Sequence, residues 1–274
     1  IRDRKQLIRN ARLVKRKAKA FVWAVVKSFA YGHGWEVVRI LEQEVDGFVV
    51  DNVEEAQAIF NLTSKPILVF FLQSPQEAEW CAQNKVRVSI FDFWQFELLK
   101  SCSLPLKVHL KIDTGMNRLG FKEKDWVLLR ERLKKHQDKI EVEGIFSHLP
   151  LPEDKALVSR QKKKILEAKR RLGLGQVMTH LSASPGIERY GNLGLEGVRA
   201  GLLLYGYSEK LPVEPVLSFK TSVVQIKTLQ KGEGLSYGLS WRAEKRSKIA
   251  VLPVGYKDGL PRALSGKDQE VLIK

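Results

Sequence analysis

Residues 21–50 have the sequence FVWAVVKSFAYGHGWEVVRILEQEVDGFVV and contain the pattern that decides the fold. An apolar run, Phe21–Val26, is followed by a turn with two glycines, by the helically spaced apolar residues of Trp35–Gln43, and by a second apolar run, Gly47–Val50. Continuous apolar runs are typical of strands that are covered on both faces. This strand–helix–strand order therefore predicts one unit of a parallel sheet.

The same alternation continues through the next 150 or so residues. The eight predicted strands are Phe21–Val26, Gly47–Val50, Pro66–Phe71, Val86–Phe91, Leu106–Ile112, Val142–Ser147, Gln176–Leu181 and Gly197–Leu204. The helices predicted between them are Trp35–Gln43, Val53–Asn61, Pro75–Asn84, Phe93–Lys100, Lys124–His136, Glu153–Leu172 and Pro185–Tyr190. Asn52 and Ser74 precede two of these helices as N-caps. Eight such units predict an α/β fold, a (β/α)8 TIM-type barrel. A doubly wound open sheet is the alternative, and it fits less well because no Gly-x-Gly-x-x-Gly turn follows the first strand.

The pattern changes after about Glu209. Prolines and glycines then separate short β-type segments, Ser222–Leu229, Ile249–Val254 and Val271–Ile273, with no long helix between them. We predict a barrel domain over residues 1–210 and the start of a β-rich C-terminal domain over residues 211–274. Because the chain begins at Ile1 and stops inside a strand-like run, we expect the sequence to lack residues at both ends.

The composition is that of a folded, water-soluble protein with an unusual net charge of +16 over 274 residues. No apolar run approaches the roughly 18 residues of a membrane helix. The two cysteines, Cys81 and Cys102, lack metal-type spacing, which favours a reducing cytoplasm. The densest basic runs, Arg2–Lys19 and Lys162–Arg171, have helical periodicity, and we interpret them as solvated helix faces. A nucleic-acid-binding protein is the alternative, but no zinc-finger spacing or aromatic RNA-binding signature supports it, so we expect neither a nucleic-acid nor a membrane partner.

Polar and charged residues stand where the predicted strands end, which is where barrel enzymes hold their catalytic groups. They are Lys27, Tyr31, Lys111, Arg118, His148, His180, Ser184 and Arg199. A lysine among basic groups, without a carboxylate pair or a metal cluster, fits Schiff-base chemistry on an anionic cofactor such as pyridoxal 5'-phosphate. TIM barrels commonly bind phosphate after strands seven and eight, where Ser184, Gly201 and Leu202 lie.

Five segments resemble signatures of the bacterial alanine racemases. They are Ala24–Gly34 (AVVKSFAYGHG), Val108–Gly120 (VHLKIDTGMNRLG), Val198–Gly201, Ser236–Gly238 and Gly255–Gly259. The resemblance spans almost the whole chain. It implies a pyridoxal-phosphate-dependent isomerase, built from a barrel and a β-rich second domain, that interconverts L-alanine and D-alanine and supplies D-alanine for peptidoglycan. It also implies a homodimer whose active sites are shared between subunits.

The resemblance further implies roles for individual residues. Lys27 would hold the cofactor and serve as one proton-transfer base, and Tyr256 of the partner subunit would be the opposite base. In the family, the lysine handles the proton of the D-enantiomer and the tyrosine that of the L-enantiomer. Arg199, acting through His148, would supply the positive charge that a tyrosine base needs near neutral pH.

Other residues would bind rather than transfer protons. Arg199 would face the pyridine nitrogen with support from His180, and the phosphate would lie among Tyr31, Ser184, Gly201 and Leu202. Arg118 would contact the cofactor ring oxygen and the substrate, and Lys111 occupies a position that is often carbamylated in the family. No metal is implied.

The chain departs from the family pattern at three places. Ala183 precedes Ser184 where the family has asparagine, Ser28-Phe29 replaces the commoner Ala-Asn, and a later segment with a substrate-contacting Met-Asp pair is absent. Other barrel proteins that bind pyridoxal phosphate stay open as alternatives: a racemase of broader specificity, a decarboxylase or a non-catalytic binder.

Overall fold

The computed structural model describes residues 3–264 and 271–272, and these residues form two compact units that divide after Leu217. The first unit contains eight parallel strands: β1 (Phe21–Val25), β2 (Gly47–Val50), β3 (Ile67–Val69), β4 (Arg87–Ile90), β5 (Leu106–Lys111), β6 (Ile140–Phe146), β7 (Met178–Ala183) and β8 (Gly197–Ala200). Each strand pairs with the next, and β8 pairs in parallel with β1. The predicted closed barrel is confirmed, and the open sheet is excluded by the β1–β8 pairing.

Helices join the strands and cover the outside of the barrel. They are Arg4–Ala18, Glu36–Leu41, Val53–Phe60, Pro75–Gln83, Gln95–Leu98, Trp126–Lys135, Lys155–Arg171 and Ser184–Tyr190, with short 3-10 turns at Leu99–Ser101 and Glu123–Asp125. Both predicted caps are present. The Asn52 side chain accepts a hydrogen bond from the amide of Glu55, and Ser74 forms a capping box with Glu77.

The first basic run forms a helix that precedes the barrel. Leu7, Ala11, Val14 and Ala18 are buried along one face of the Arg4–Ala18 helix, while its lysines and arginines are exposed. Two of them form ion pairs with carboxylates that follow the helix Glu36–Leu41. Arg12 pairs with Glu44 at 2.7 Å, and Lys15 pairs with Asp46 at 2.8 Å. The helix therefore carries its charge towards solvent, as predicted from its periodicity; Arg2 lies outside the described residues.

Several predicted bounds were wrong, and two of the errors concern the site. The strand predicted over Gly197–Leu204 ends at Ala200, because the chain turns at Gly201 and the amide of Leu204 bonds back to its carbonyl at 2.8 Å. Lys27 was expected to close the first strand. It instead begins a turn, Lys27–Tyr31, in which four consecutive non-glycine residues have left-handed dihedral angles.

The second unit is β-rich and antiparallel. Gln225–Leu229 pairs with Ser247–Val251, and Gly234–Leu235 pairs with Trp241–Arg242. Short 3-10 turns lie at Tyr237–Leu239, Tyr256–Asp258 and Arg262–Leu264. Val271 and Leu272 are not in a strand, and Ile273 of that predicted segment lies outside the described residues. The boundary placed between residues 210 and 211 stays a prediction.

None of the helices in the described part of the chain combines the length and the apolar character that crossing a membrane requires.

Candidate active site

A cavity of about 480 Å³ opens at the carboxyl ends of the barrel strands. Nine of the eleven residues predicted for the site line it: Lys27, Tyr31, Lys111, Arg118, His148, Ser184, Arg199, Gly201 and Leu202. His180 is fully buried and is hydrogen-bonded to Arg199. Parallel strands place their carboxyl ends at one edge of the barrel, which is why residues far apart in sequence meet here.

The turn that carries Lys27 is strained. Ser28, Phe29, Ala30 and Tyr31 have φ between 52° and 55°, a conformation that costs an L-residue roughly 1–2 kcal/mol. Glu55 helps to hold it, because its carboxylate accepts from the amide of Ser28 at 2.6 Å and from that of Asp51 at 2.8 Å. Strain of this kind is typical of functional sites, where the surrounding structure overrides local preference.

Asp51 is a site residue that sequence reasoning missed. It directly follows β2, and its Oδ1 lies 3.2 Å from the Lys27 Nζ, with both side chains about one-third exposed. An ion pair this exposed contributes little to stability, so its effect is to hold the amine in the cavity. A carboxylate immediately after an apolar strand was the signal that could have identified it.

Arg199 is buried and is held by neutral acceptors. Its Nη1 donates to His180 Nδ1 at 2.7 Å and to the His180 carbonyl at 3.0 Å, and its Nη2 donates to the Ser147 carbonyl at 2.6 Å. Weaker contacts join Nη2 to His148 Nδ1 at 3.4 Å and to the Leu181 carbonyl at 3.3 Å. No carboxylate of the described residues lies within ion-pairing distance, and burial lowers the pKa of Arg199 to about 9. The guanidinium is therefore still charged at neutral pH.

The histidines around Arg199 are neutral. Burial, followed by the charges of Arg199 and Lys111, lowers the pKa of His148 to about 3. Burial also lowers the pKa of His180, and the charge of Arg199 lowers it further. Neutral imidazoles keep a lone pair for the arginine N–H groups, whereas imidazoliums would repel it.

Lys111 is a buried amine among positive charges. Its Nζ lies 4.6 Å from the centre of the Phe146 ring, whose other neighbours include Arg199. Burial, and then the charges of Arg199 and Arg118, lower the pKa of Lys111 to about 7. A large share of these amines is consequently unprotonated near neutral pH, which is unusual for lysine.

We expect Lys111→Met to stabilise the fold most strongly at low pH. Below pH 7 the lysine is charged in both the folded and the unfolded chain, so the full cost of burying the charge is present. Above its ordinary value of 10.5 it is neutral in both states, and the cost vanishes. The gain in the free energy of unfolding should be on the order of a few kcal/mol near pH 6 and should shrink as the pH rises from 7 to 10.5. Urea denaturation in CO2-free buffer measures it, with the exposed Lys122→Met as control. An equal gain at every pH would show that folding does not lower the pKa of Lys111.

Ser184, which follows strand seven, binds the turn after strand eight and lines the cavity. The Ser184 hydroxyl accepts from the amides of Gly201 at 3.0 Å and Leu203 at 3.3 Å, which leaves its own hydrogen to donate. A Cβ at position 201 would come within 3.2 Å of the Tyr31 hydroxyl, so Gly201 keeps the space beside that hydroxyl open.

The donor set of the cavity fits an anionic aldehyde cofactor. Four basic side chains line it, Lys27, Lys111, Arg118 and Arg199, against one carboxylate, Asp51. Ser89 adds a buried hydroxyl that has no partner among the described residues. Lys27 could hold an aldehyde, and the hydroxyls of Ser184 and Tyr31 could donate hydrogen bonds to a phosphate group.

Two family descriptions together match nearly all of the chain. Residues 3–209 match the family described as alanine racemase, N-terminal domain, and residues 216–274 match alanine racemase, C-terminal domain. The chain belongs to the alanine racemase family. The resemblance inferred from the motifs is thereby confirmed.

Individual relatives agree with this assignment. An alanine racemase from Lactobacillus acidophilus is 33% identical over 263 residues, which cover 89% of this chain and 70% of the relative. A protein named alanine racemase 2 from Caldanaerobacter subterraneus subsp. tengcongensis is 34% identical over an alignment of 292 positions, which covers 98% of this chain and 74% of the relative.

Solved structures of alanine racemases have the same fold. The alanine racemase of Bacillus anthracis with bound L-Ala-P has a TM-score of 0.85 at 27% identity. The match covers 94% of this chain and 72% of the Bacillus anthracis chain. That of Clostridium difficile 630 has a TM-score of 0.87 at 28% identity, with coverage of 95% and 74%.

One residue that the alanine racemase signatures predict for the site lies in the second unit. Tyr256 begins the 3-10 turn Tyr256–Asp258, and its side chain is 64% exposed. The Asp258 carboxylate accepts from the amide of Gly255 at 3.0 Å and shapes this turn. The role of Tyr256 as a base stays a prediction.

Proposed function

We propose that this chain is an alanine racemase that interconverts L-alanine and D-alanine with pyridoxal 5'-phosphate as its cofactor. The observation that carries the proposal is one cavity that holds both the amine of Lys27 and the buried, carboxylate-free guanidinium of Arg199. Membership in the alanine racemase family supports alanine as the substrate. The D-alanine produced would serve peptidoglycan synthesis.

Lys27 and Arg199 have different tasks in this proposal. Bound pyridoxal phosphate supplies an electron-withdrawing ring that acidifies the Cα proton of the amino acid. Lys27 holds the cofactor and moves a proton on one face of Cα. Arg199 would donate a hydrogen bond to the pyridine nitrogen of a bound cofactor and would keep its own proton at neutral pH, which would leave that nitrogen unprotonated. A weaker electron sink would disfavour transamination.

The remaining cavity residues bind the anionic groups. Ser184, Tyr31 and the backbone at Gly201 and Leu202 would hold the phosphate, and His180 would hold Arg199 in place. Arg118 would contact the cofactor ring oxygen and the substrate. His148, which contacts Arg199 at 3.4 Å, would stand near the second base.

We further propose that Lys111 takes up CO2. A neutral amine adds to CO2 and releases one proton, which leaves a carbamate with one negative charge. That charge would be favourable beside Arg118 and Arg199, which lower the pKa of the free amine. Carbon-13-labelled CO2 should give a carbamate resonance that Lys111→Met removes and that Lys122→Met retains.

Formation of D-alanine tests the overall function. The purified chain is incubated with pyridoxal phosphate and L-alanine, and D-alanine is measured by chiral chromatography, with L-serine and L-lysine as further substrates. Racemisation of alanine supports the proposal, and preference for serine would indicate a broader racemase. Release of CO2 from L-lysine without racemisation would overturn the proposal in favour of a decarboxylase.

We also propose a homodimer in which Tyr256 of the partner subunit completes each site. Two inactive variants, Lys27→Ala and Tyr256→Phe, should then regain activity when they are mixed. Each mixed dimer contains one site with both wild-type bases, so random pairing of equal amounts should restore about a quarter of the sites. The control is each variant mixed with itself. No recovery after subunit exchange has been demonstrated, for example by mass spectrometry of the mixed dimer, would show that sites are built within one chain.

The cytoplasm is the location that we propose. Cys81 and Cys102 are both buried free thiols, which is the usual state of cysteines in a reducing compartment. Burial raises the pKa of Cys81 to about 12 and raises that of Cys102, so neither thiol is reactive.

A further inference from the structure

His109 is a buried residue of strand β5 that has none of the roles assigned above. It is 1% exposed and does not line the cavity. Its Nδ1 lies 2.8 Å from Nε2 of His180, whose Nδ1 in turn lies 2.7 Å from Nη1 of Arg199. The three side chains thus form one hydrogen-bonded row that ends at the cavity.

The direction of each hydrogen bond in this row follows from the donor-only guanidinium of Arg199 and from the neutral state of the two histidine rings. A guanidinium has five N–H donors and no acceptor, so Nδ1 of His180 must offer its lone pair to Arg199. The neutral ring of His180 then carries its hydrogen on Nε2. Because Nε2–H is a donor, Nδ1 of His109 must accept it, and His109 carries its own hydrogen on Nε2. Each ring is left with a single allowed tautomer.

We infer that His109 is a positioning residue, which accepts the Nε2–H of His180 and so keeps the His180 tautomer that holds Arg199. This role rests on the proposed function, in which Arg199 faces the cofactor. Without an acceptor at His109, the Nε2–H of His180 would be buried and unpaired, a loss that costs about 1–3 kcal/mol. That loss would weaken the preference for this tautomer over the one whose Nδ1–H opposes the N–H of Arg199.

The barrel is built around this ring. At Gly144 of β6 a Cβ would come within 2.4 Å of Nδ1 of His109, so only glycine admits the ring. The register between β5 and β6 shifts at the same point, between Val108 and His109. The rings are also held in orientation: Trp23 packs edge-on against His109 at 5.6 Å, and Phe146 stacks on His180 at 4.9 Å.

The direct test is the tautomeric state of the histidines in the holoprotein. The chain has five histidines, so nitrogen-15 NMR of histidine-labelled protein can resolve them. We expect His180 and His109 each to carry hydrogen on Nε2, with a scalar coupling between Nε2 of His180 and Nδ1 of His109. A proton on Nδ1 of His180 would overturn the inference.

Two substitutions separate hydrogen bonding from packing. His109→Leu removes the acceptor, whereas His109→Asn places an amide oxygen near the position of Nδ1. We expect His109→Leu to lower kcat about tenfold, to leave KM for alanine nearly unchanged, to increase transamination per turnover, and to alter the His180 tautomer. His109→Asn should restore the tautomer and most of the activity. Leu68→Ala, which disturbs the same inner layer beside Trp23, is the packing control and should change neither the tautomer nor the transamination.

Failure of this inference can be distinguished from failure of the proposed function. If the wild-type chain does not racemise alanine, the proposed function fails, but the tautomers measured by NMR still decide whether His109 positions His180. If the chain racemises alanine and His109→Leu keeps the wild-type tautomer and transamination, His109 is only a packing residue. Should His109→Leu fail to fold, the wild-type spectrum and His109→Asn still decide the matter.

Discussion

Lys27→Ala is expected to reduce racemisation to the background of the assay, a loss on the order of 10⁴-fold or more. The substitution removes two functions at once, the amine that holds the cofactor and the base on one face of Cα. Asp51, which lies 3.2 Å from the amine, cannot replace it, because a carboxylate does not condense with an aldehyde. Initial rates from both enantiomers measure the effect.

A second experiment identifies the lysine chemically. Borohydride reduction of the wild-type holoprotein, followed by peptide mapping, should place the pyridoxyl group on Lys27. Lys122→Ala, at an exposed position, should leave both the rate and the labelled peptide unchanged. A label on any other lysine would refute the assignment, and retained activity in Lys27→Ala would refute the proposed mechanism.

Tyr256→Phe is expected to lower racemisation in both directions by about 10²–10⁴-fold, the usual contribution of a general acid–base group. Because the overall equilibrium is fixed, blocking one face slows the forward and the reverse reaction equally. The isotope experiment is more specific. Exchange of the Cα hydrogen with solvent deuterium should be lost from L-alanine and should survive in part from D-alanine, since Lys27 can still remove and return the proton on its own face.

The physical reason for this asymmetry is geometric. A base on one side of a planar intermediate cannot reach the opposite side, so each enantiomer depends on its own base. Tyr207→Phe is a control, because Tyr207 is an exposed tyrosine that lies outside the named signatures and does not line the cavity. If Tyr256→Phe lowers exchange from both enantiomers equally, or from neither, Tyr256 is not a face-specific base.

Local sequence patterns were sufficient for the architecture and for most of the cavity. The apolar runs predicted eight parallel strands, and the caps at Asn52 and Ser74 were identified correctly, because these features depend on residues close together in the chain. Lys27, Lys111 and Arg199 could be assigned to one site from their positions at strand ends, because parallel strands bring their carboxyl ends to one edge.

Backbone geometry at the site was less accessible to sequence reasoning. The left-handed turn after β1 contains Ser28, Phe29 and Ala30, none of which favours positive φ, so no local signal announces it. Glu55, from the helix Val53–Phe60, helps to hold the turn by accepting a hydrogen bond from the amide of Ser28. The early end of β8 likewise depends on Ser184, which binds the amide of Gly201.

The sequence by itself determined the order of strands and helices, the family, and the types of side chain that could meet at the barrel mouth. Tertiary structure alone decided the charge and tautomer of those side chains. The pKa of Lys111 falls to about 7 because burial and the charges of Arg199 and Arg118 act on it together. The ring of His109 reaches His180 because Gly144 on the neighbouring strand leaves room for it. Desolvation and hydrogen bonding depend on which residues become neighbours in space, and sequence spacing does not specify those neighbours.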